Sequence, residues 1–168
     1  LAVEMLLIGD FQGGAYPDES APIRACLPVA AAEGKRLLLV TARVHPGEAN
    51  SSWVLEGILR YLTGPEPGAA VLRRHFVFKV CPMLNPDGVI QGNYRCANSG
   101  QDLNRHWAAP CPRKHTTIAA LKHLIRAYQL RDPYRVALYC DLHGHSRARG
   151  AFVYGVLTDS DRKTVAGP

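Results

Sequence analysis

The chain has 168 residues, enough for one ordinary domain with a real core. Hydrophobic residues make up 47%, which excludes a disordered chain, and the longest apolar run, Leu37 to Val40, is far too short to cross a bilayer. A formal net charge of +6 favours an anionic partner without choosing between nucleic acid, membrane and acidic peptide.

The stretch from Lys35 to Val44 is a continuous apolar run, the pattern of a strand buried on both faces. Residues 50–62 follow as a helix, with Asn50 or Ser51 as its cap and Trp53, Ile58 and Leu62 on its packed face. Gly64 to Gly68 reads as a loop, and Arg74 to Leu84 as a second strand. Strand, helix, strand makes a βαβ unit. A long turn-rich stretch without clear secondary structure runs from Asn85 to Pro112, opened by the turn sequence NPDG. Residues 116–130 form an amphipathic helix with Ile118, Leu121, Ile125 and Tyr128 on one stripe and Thr116 as its cap. Two further strands are expected, at residues 134–146 and 151–157. The alternation predicts an α/β fold with a mostly parallel, mixed sheet flanked by helices. Chemistry in such sheets gathers at the carboxyl ends of the strands.

Two histidine clusters stand at such ends. His45 and Glu48 follow the first strand, with Pro46 and Gly47 between them; proline makes a helix improbable there and a tight loop can turn both side chains towards one point. Imidazole nitrogen and carboxylate oxygen are ordinary zinc ligands, and catalytic zinc commonly takes two histidines, one glutamate and a water. Taken alone, the pair also fits a solvated loop. The second histidine is His143 or His145; in an extended strand both point to one face, so spacing does not choose. His75, His106, His115 and His123 lack such a setting, and His123 reads as a surface or structural residue. The long stretch carries Arg95, Asp102, Asn104 and Arg105. Guanidinium groups bind carboxylates as a fork and stabilise developing oxyanions. Five scattered cysteines, Cys26, Cys81, Cys96, Cys111 and Cys140, include no CxxC pair and point to a reducing compartment rather than a disulfide scaffold.

The ordered motifs HPGE, NPDG, DLNR and DLHGHS resemble those of the zinc metallocarboxypeptidases. The flanking residues, in ARVHPGEANSSW, PMLNPDGVIQGNYR and CDLHGHSRARGAFVYG, are similar to the cytosolic carboxypeptidase branch, which shortens glutamate chains on tubulin and other proteins. The resemblance covers nearly the whole chain from Lys35 onward. It implies a truncated zinc carboxypeptidase-like domain in which His45, Glu48 and His143 hold Zn2+, so that His143 is preferred to His145. It further implies that Arg95 stabilises the oxyanion, that Asn104 and Arg105 grip the terminal carboxylate of the substrate, and that Asp102 accepts a hydrogen bond from a ligand histidine, His45. The implied partners are glutamate-rich protein tails such as those of tubulin, with no role for nucleic acid or membrane. The implied location is the cytoplasm, at microtubules or cilia.

The family's reaction also needs a glutamate general base late in the domain. No glutamate follows His143; Asp159 and Asp161 come too early for that role. The family branch also carries a β-rich domain ahead of the peptidase domain. Residues 1–168 are therefore expected to be a partial catalytic domain, inactive by itself. Two other readings stay open: a zinc amidohydrolase of N-acyl amino acids, and a non-catalytic zinc-bearing module for acidic tails.

Overall fold

The structure, a computed structural model, describes residues 5–10, 34–131 and 136–155. Four strands build one sheet: β1 (Leu6–Ile8), β2 (Arg36–Ala42), β3 (Phe76–Cys81) and β4 (Val136–Leu142), in the order β1-β3-β2-β4. β2 runs parallel to both neighbours, pairing Val40 with Val80 on one side and with Cys140 on the other, while β1 closes the far edge antiparallel to β3. This is a mixed, mostly parallel sheet, as expected; its parallel part follows from the apolar runs, while the antiparallel edge strand β1 is not among the elements read from the sequence.

Helices cover both faces. α1 (Ala49–Thr63) and α2 (Pro67–His75) carry the chain from β2 to β3, and α4 (Thr116–Arg131) carries it from the β3 side to β4. Between them lie the short helix α3 (Pro86–Ile90) and a 3-10 turn at Leu103–Arg105. Side chains alternate along β2. Leu37 and Leu39 join Val77, Ile118, Leu121, Leu124 and Tyr128 in one buried cluster. Val40 and Ala42 join Leu55, Leu62, Phe78 and Val80 in a second. A strand sandwiched this way has no polar face, which is why β2 reads as an unbroken apolar run. Each fully buried leucine contributes about 2 kcal/mol by leaving water.

Several elements differ from the sequence reading. α2 occupies part of the stretch read as a loop and the start of the expected strand. Pro67 fits its first turn, and Arg73, Arg74 and His75 close its last turn, where cations suit the helix dipole. β3 therefore starts at Phe76 rather than Arg74. Neither Asn50 nor Ser51 caps α1; Glu48 holds the cap position without a side-chain cap bond. Trp53 is 73% exposed, because the buried stripe runs through Ser51, Leu55 and Leu62 and a residue two places before Leu55 faces away from it. The expected final strand is absent from Ala151–Gly155, where Val153 and Tyr154 are exposed; among the described residues no strand supplies a ladder there. Val156, Leu157, Asp159, Asp161, Cys26 and the expected strand start at Tyr134 and Arg135 lie outside the described residues.

The topology positions the site. From β2 the chain passes to β3 on one side, then crosses back to place β4 on the other. β2 and β4 thus flank the point where the winding reverses, the usual crevice of an open α/β sheet.

Candidate metal centre

At the end of β2 the chain leaves the ladder through Arg43, whose φ of 58° lies in the left-handed region that non-glycine residues rarely adopt. Its side chain holds the turn it creates: Nε and Nη2 donate to the Pro46 carbonyl at 2.9 and 2.6 Å, and Nη1 donates to Ser52 Oγ at 3.0 Å. Pro46 and Gly47 are then pinned from the other side. The Gly47 amide donates to the Tyr94 carbonyl at 2.8 Å, and a β-carbon on Gly47 would stand 2.5 Å from the Tyr94 ring. A β-carbon on Gly88, the glycine of NPDG, would meet Pro46 Cγ at 2.5 Å. Asn85 of the same motif is 2% exposed; it donates to the Val44 carbonyl and accepts from the Gly88 amide, capping α3. NPDG is thus more than a turn: it clamps the loop after β2.

The clamped loop buries His45 at 4% exposure and aims it at Glu48. His45 Nδ1 lies 2.9 Å from Glu48 Oε1, and His143 Nδ1 lies 3.0 Å from Glu48 Oε2. His143 arrives from the end of β4, and the following amide, Gly144 N, donates to Glu48 Oε2 at 2.7 Å. One nitrogen from each histidine and one oxygen from Glu48 all lie within 4.8 Å of one another. This explains the missing cap of α1: the Glu48 carboxylate is engaged with the two imidazoles.

Both outer imidazole nitrogens meet carboxylates. His45 Nε2 lies 3.0 Å from Asp102 Oδ1, and His143 Nε2 lies 2.8 Å from Asp141 Oδ2. Such pairing fixes the tautomer that leaves the inner nitrogen's lone pair available to a metal. Two imidazoles and one carboxylate, each imidazole backed by a second carboxylate, form a donor set that fits zinc with a position left for water. Burial raises the Asp102 carboxyl, but bonds from His45, the Asn104 amide and Arg95 outweigh it and hold Asp102 below the usual carboxylate range. The bond to Asp141 pushes His143 above the ordinary imidazole value, against the opposing effect of burial.

The remaining residues singled out by sequence surround Asp102. Arg95 Nε donates to Asp102 Oδ2 at 2.7 Å, and Arg105 Nε stands 4.0 Å from the same oxygen on a side chain that is 66% exposed. Asn104 donates its amide to Asp102 Oδ1 at 2.9 Å, while its side-chain oxygen accepts from Trp107 Nε1 at 2.7 Å. That leaves the Asn104 amino group as a donor. His145 stays out of the cluster. Its Nδ1 accepts from the amides of Arg147 and Ala148, and its ring packs on Phe152 and Tyr154. His106 and His115 stack on each other, with His115 bound to Gln101 and the Cys111 amide.

Two contributors escaped the sequence reading. Asp141 was legible as an acidic residue two places before His143, hence on the same strand face. Arg43 carried no such signal, because its role depends on a backbone turn.

Residues 4–156 match the zinc carboxypeptidase family. Cytosolic carboxypeptidase 1 of Mus musculus is 51% identical over 118 residues, covering 70% of this chain and 10% of that protein. Cytosolic carboxypeptidase 3 of Mus musculus is 46% identical over 138 residues, covering 82% and 14%. Cytosolic carboxypeptidase 6 of Mus musculus is 45% identical over 129 residues, covering 77% and 24%. The chain therefore spans a small part of these relatives' length. Among solved structures, a metallo-carboxypeptidase from Burkholderia cenocepacia is similar with a TM-score of 0.64 and 28% identity, over 84% of this chain and 32% of that one. A metallo-carboxypeptidase from Pseudomonas aeruginosa, in complex with (2-guanidinoethylmercapto)succinic acid, gives a TM-score of 0.62 and 26% identity, over 85% and 32%.

Proposed function

The chain belongs to the zinc carboxypeptidase family, and on that premise we propose that it forms part of a metallocarboxypeptidase catalytic domain that removes glutamates from acidic protein tails. Tubulin-like tails in the cytoplasm, at microtubules or cilia, are the proposed substrates, trimmed at chain ends or side-chain branches. The observation that carries the reading is the convergence of His45, Glu48 and His143 beside the arginines around Asp102. The relatives bear the name cytosolic carboxypeptidase, and no described helix is long and apolar enough to cross a membrane.

In this reading His45, Glu48 and His143 hold zinc. Bound there, zinc supplies Lewis-acid chemistry, bringing the pKa of water towards about 7 and polarising a carbonyl. Asp102 and Asp141 keep the outer imidazole protons in place. Arg95 meets the negative charge that develops on the scissile carbonyl oxygen. Asn104, through its amino group, and Arg105 hold the substrate's terminal carboxylate and so orient the last peptide bond. Exposed Arg147 and Arg149, just after the second histidine cluster, add positive charge near the site and favour an acidic tail. General acid–base help is worth roughly two to four orders of magnitude. No glutamate follows His143 to supply it, so the 168-residue chain alone is proposed to turn over little.

The test is cleavage by the full-length protein of peptides ending in glutamate or lysine, across a salt series. Preference for glutamate that fades as salt screens the arginines, over about 10 Å at 0.1 M, supports the reading. Equal rates on lysine-ended peptides overturn the glutamate assignment and leave the zinc peptidase standing. Turnover of N-acyl amino acids but not peptides favours the amidohydrolase reading, and metal binding without any hydrolysis favours the binding module.

A further inference from the structure

The two histidines of the centre are backed differently. Asp102, behind His45, pairs with Arg95 and is approached by the exposed Arg105. Asp141, behind His143, reaches the other way, into the sheet. Its Oδ1 accepts from Thr41 Oγ1 at 2.6 Å, and Thr41 Oγ1 lies 3.1 Å from the Tyr139 hydroxyl. Thr41 and Asp141 are register partners across β2 and β4, and Tyr139 stands two residues earlier on the same face of β4. Thr41 is 1% exposed.

The proton directions follow from counting. An ionised carboxylate only accepts, so the single Thr41 hydroxyl proton goes to Asp141. The Tyr139 hydroxyl must then donate to Thr41. Asp141 Oδ2 accepts the remaining proton, from His143 Nε2. The result is a one-way chain: Tyr139 to Thr41 to Asp141, with His143 donating from the other end.

We propose that Tyr139 and Thr41 are positioning residues for the metal centre: through Asp141 they hold the His143 ring with its proton on Nε2 and its Nδ1 lone pair towards Glu48. Neither touches a metal ligand; both act through the carboxylate. In water Asp141 could rotate among several acceptor geometries, but the buried Thr41 hydroxyl fixes one oxygen and leaves the other for His143. Tyr139 in turn fixes the Thr41 rotor. The ordering follows from the strand register, so the pairing of β2 with β4 sets the pose of a ligand at the end of β4.

The inference rests on the zinc reading, and its test separates the two. Zinc affinity of the full-length protein is measured by chelator competition for wild type, Thr41→Val, Tyr139→Phe, Asp141→Asn and Asp141→Ala, with circular dichroism to check folding. The His143 tautomer is read in the zinc-loaded full-length protein, labelled at histidine, by long-range nitrogen–proton NMR. Loss of a partner behind a ligand histidine lowers metal affinity by about 10–100-fold. Asp141→Ala should fall in that range, with Asp141→Asn recovering part of it because its amide oxygen still accepts from Nε2. Thr41→Val should cost about 3–10-fold and broaden or split the His143 signals, and Tyr139→Phe should cost less. If Thr41→Val folds, binds zinc as wild type does and keeps a single tautomer, the chain is decorative and the inference is overturned, whatever Asp141→Ala does. If wild type itself binds no zinc, the functional reading falls first and the inference with it.

Discussion

His45 and Asp102 meet at 3.0 Å, Nε2 to Oδ1, although 57 residues separate them. The same carboxylate receives Arg95 on its other oxygen at 2.7 Å. One side chain thus joins His45, proposed as a metal ligand, to Arg95 and Arg105, proposed to meet the substrate. Asp102→Ala should weaken zinc binding by about 10–100-fold and also free Arg95 from its tether. Asp102→Asn keeps an acceptor for His45 but loses the charge that draws Arg95. Chelator competition reads the first effect; kcat of the full-length protein reads the second. Zinc affinity unchanged in Asp102→Ala would remove Asp102 from the centre.

Arg95 and Arg105 should separate kinetically. Arg105 would hold a carboxylate present in ground and transition states alike, so Arg105→Ala should act mainly on KM. Arg95 would meet charge that exists only in the transition state, so Arg95→Ala should lower kcat, by about 10²–10³ on the scale of a lost oxyanion donor. Steady-state kinetics of the full-length protein decide the matter, and matching kcat and KM effects for the two variants would erase the distinction.

Gly47→Ala tests the clamp on the loop after β2. The new β-carbon would stand 2.5 Å from the Tyr94 ring and 2.8 Å from the Tyr94 carbonyl oxygen. Backbone must move to admit it, at a cost of about 1–3 kcal/mol, and His45 and Glu48 move with it. Urea unfolding should show the loss and chelator competition a weaker zinc site. Wild-type stability would mean that the loop yields without strain.

Alkaline pH should probe the buried core beneath the site. Burial is the main cause that pushes the Cys81 thiol up to about 11 from 9.0. Its folded value lies above its unfolded one, so its contribution is whole below pH 9 and is lost as pH rises towards 11. At about 1.4 kcal/mol per unit, a two-unit shift (11 minus 9.0) corresponds to about 3 kcal/mol. The partly buried Tyr139 phenol, also raised by desolvation, adds the same sign at the upper end of the window. Urea midpoints should fall from pH 8 to pH 11 more steeply in wild type than in Cys81→Ala. Parallel slopes would show that the fold does not raise the thiol's pKa.

The 168-residue chain should hydrolyse no glutamate-ended peptide at a rate useful for assay, even when loaded with zinc. A peptide digest followed by mass spectrometry checks this. Clear cleavage would show that a residue within Leu1–Pro168 serves as the base.

Residue type and order by themselves determined a good deal. The apolar run of β2, the stripe of α4 and the alternation of strands and helices are local patterns, and they yield a mostly parallel sheet with the candidate site at its strand ends. The ordered motifs singled out His45, Glu48, Arg95, Asp102, Asn104, Arg105 and His143. What spacing left open was geometry. His143 and His145 share a strand face in an ideal strand, but β4 ends at Leu142, so only His143 continues towards Glu48 while the loop turns His145 onto Phe152 and Tyr154. The role of NPDG emerged only when Gly88 met Pro46 and Asn85 met Val44, contacts across 41 and 42 residues that no local pattern encodes. The Tyr139–Thr41–Asp141 chain depends on the register of β2 against β4, and register is a property of two paired strands, not of either sequence alone. Hydrophobic periodicity is written along the chain, whereas hydrogen-bond partners are chosen by which strands the fold lays side by side.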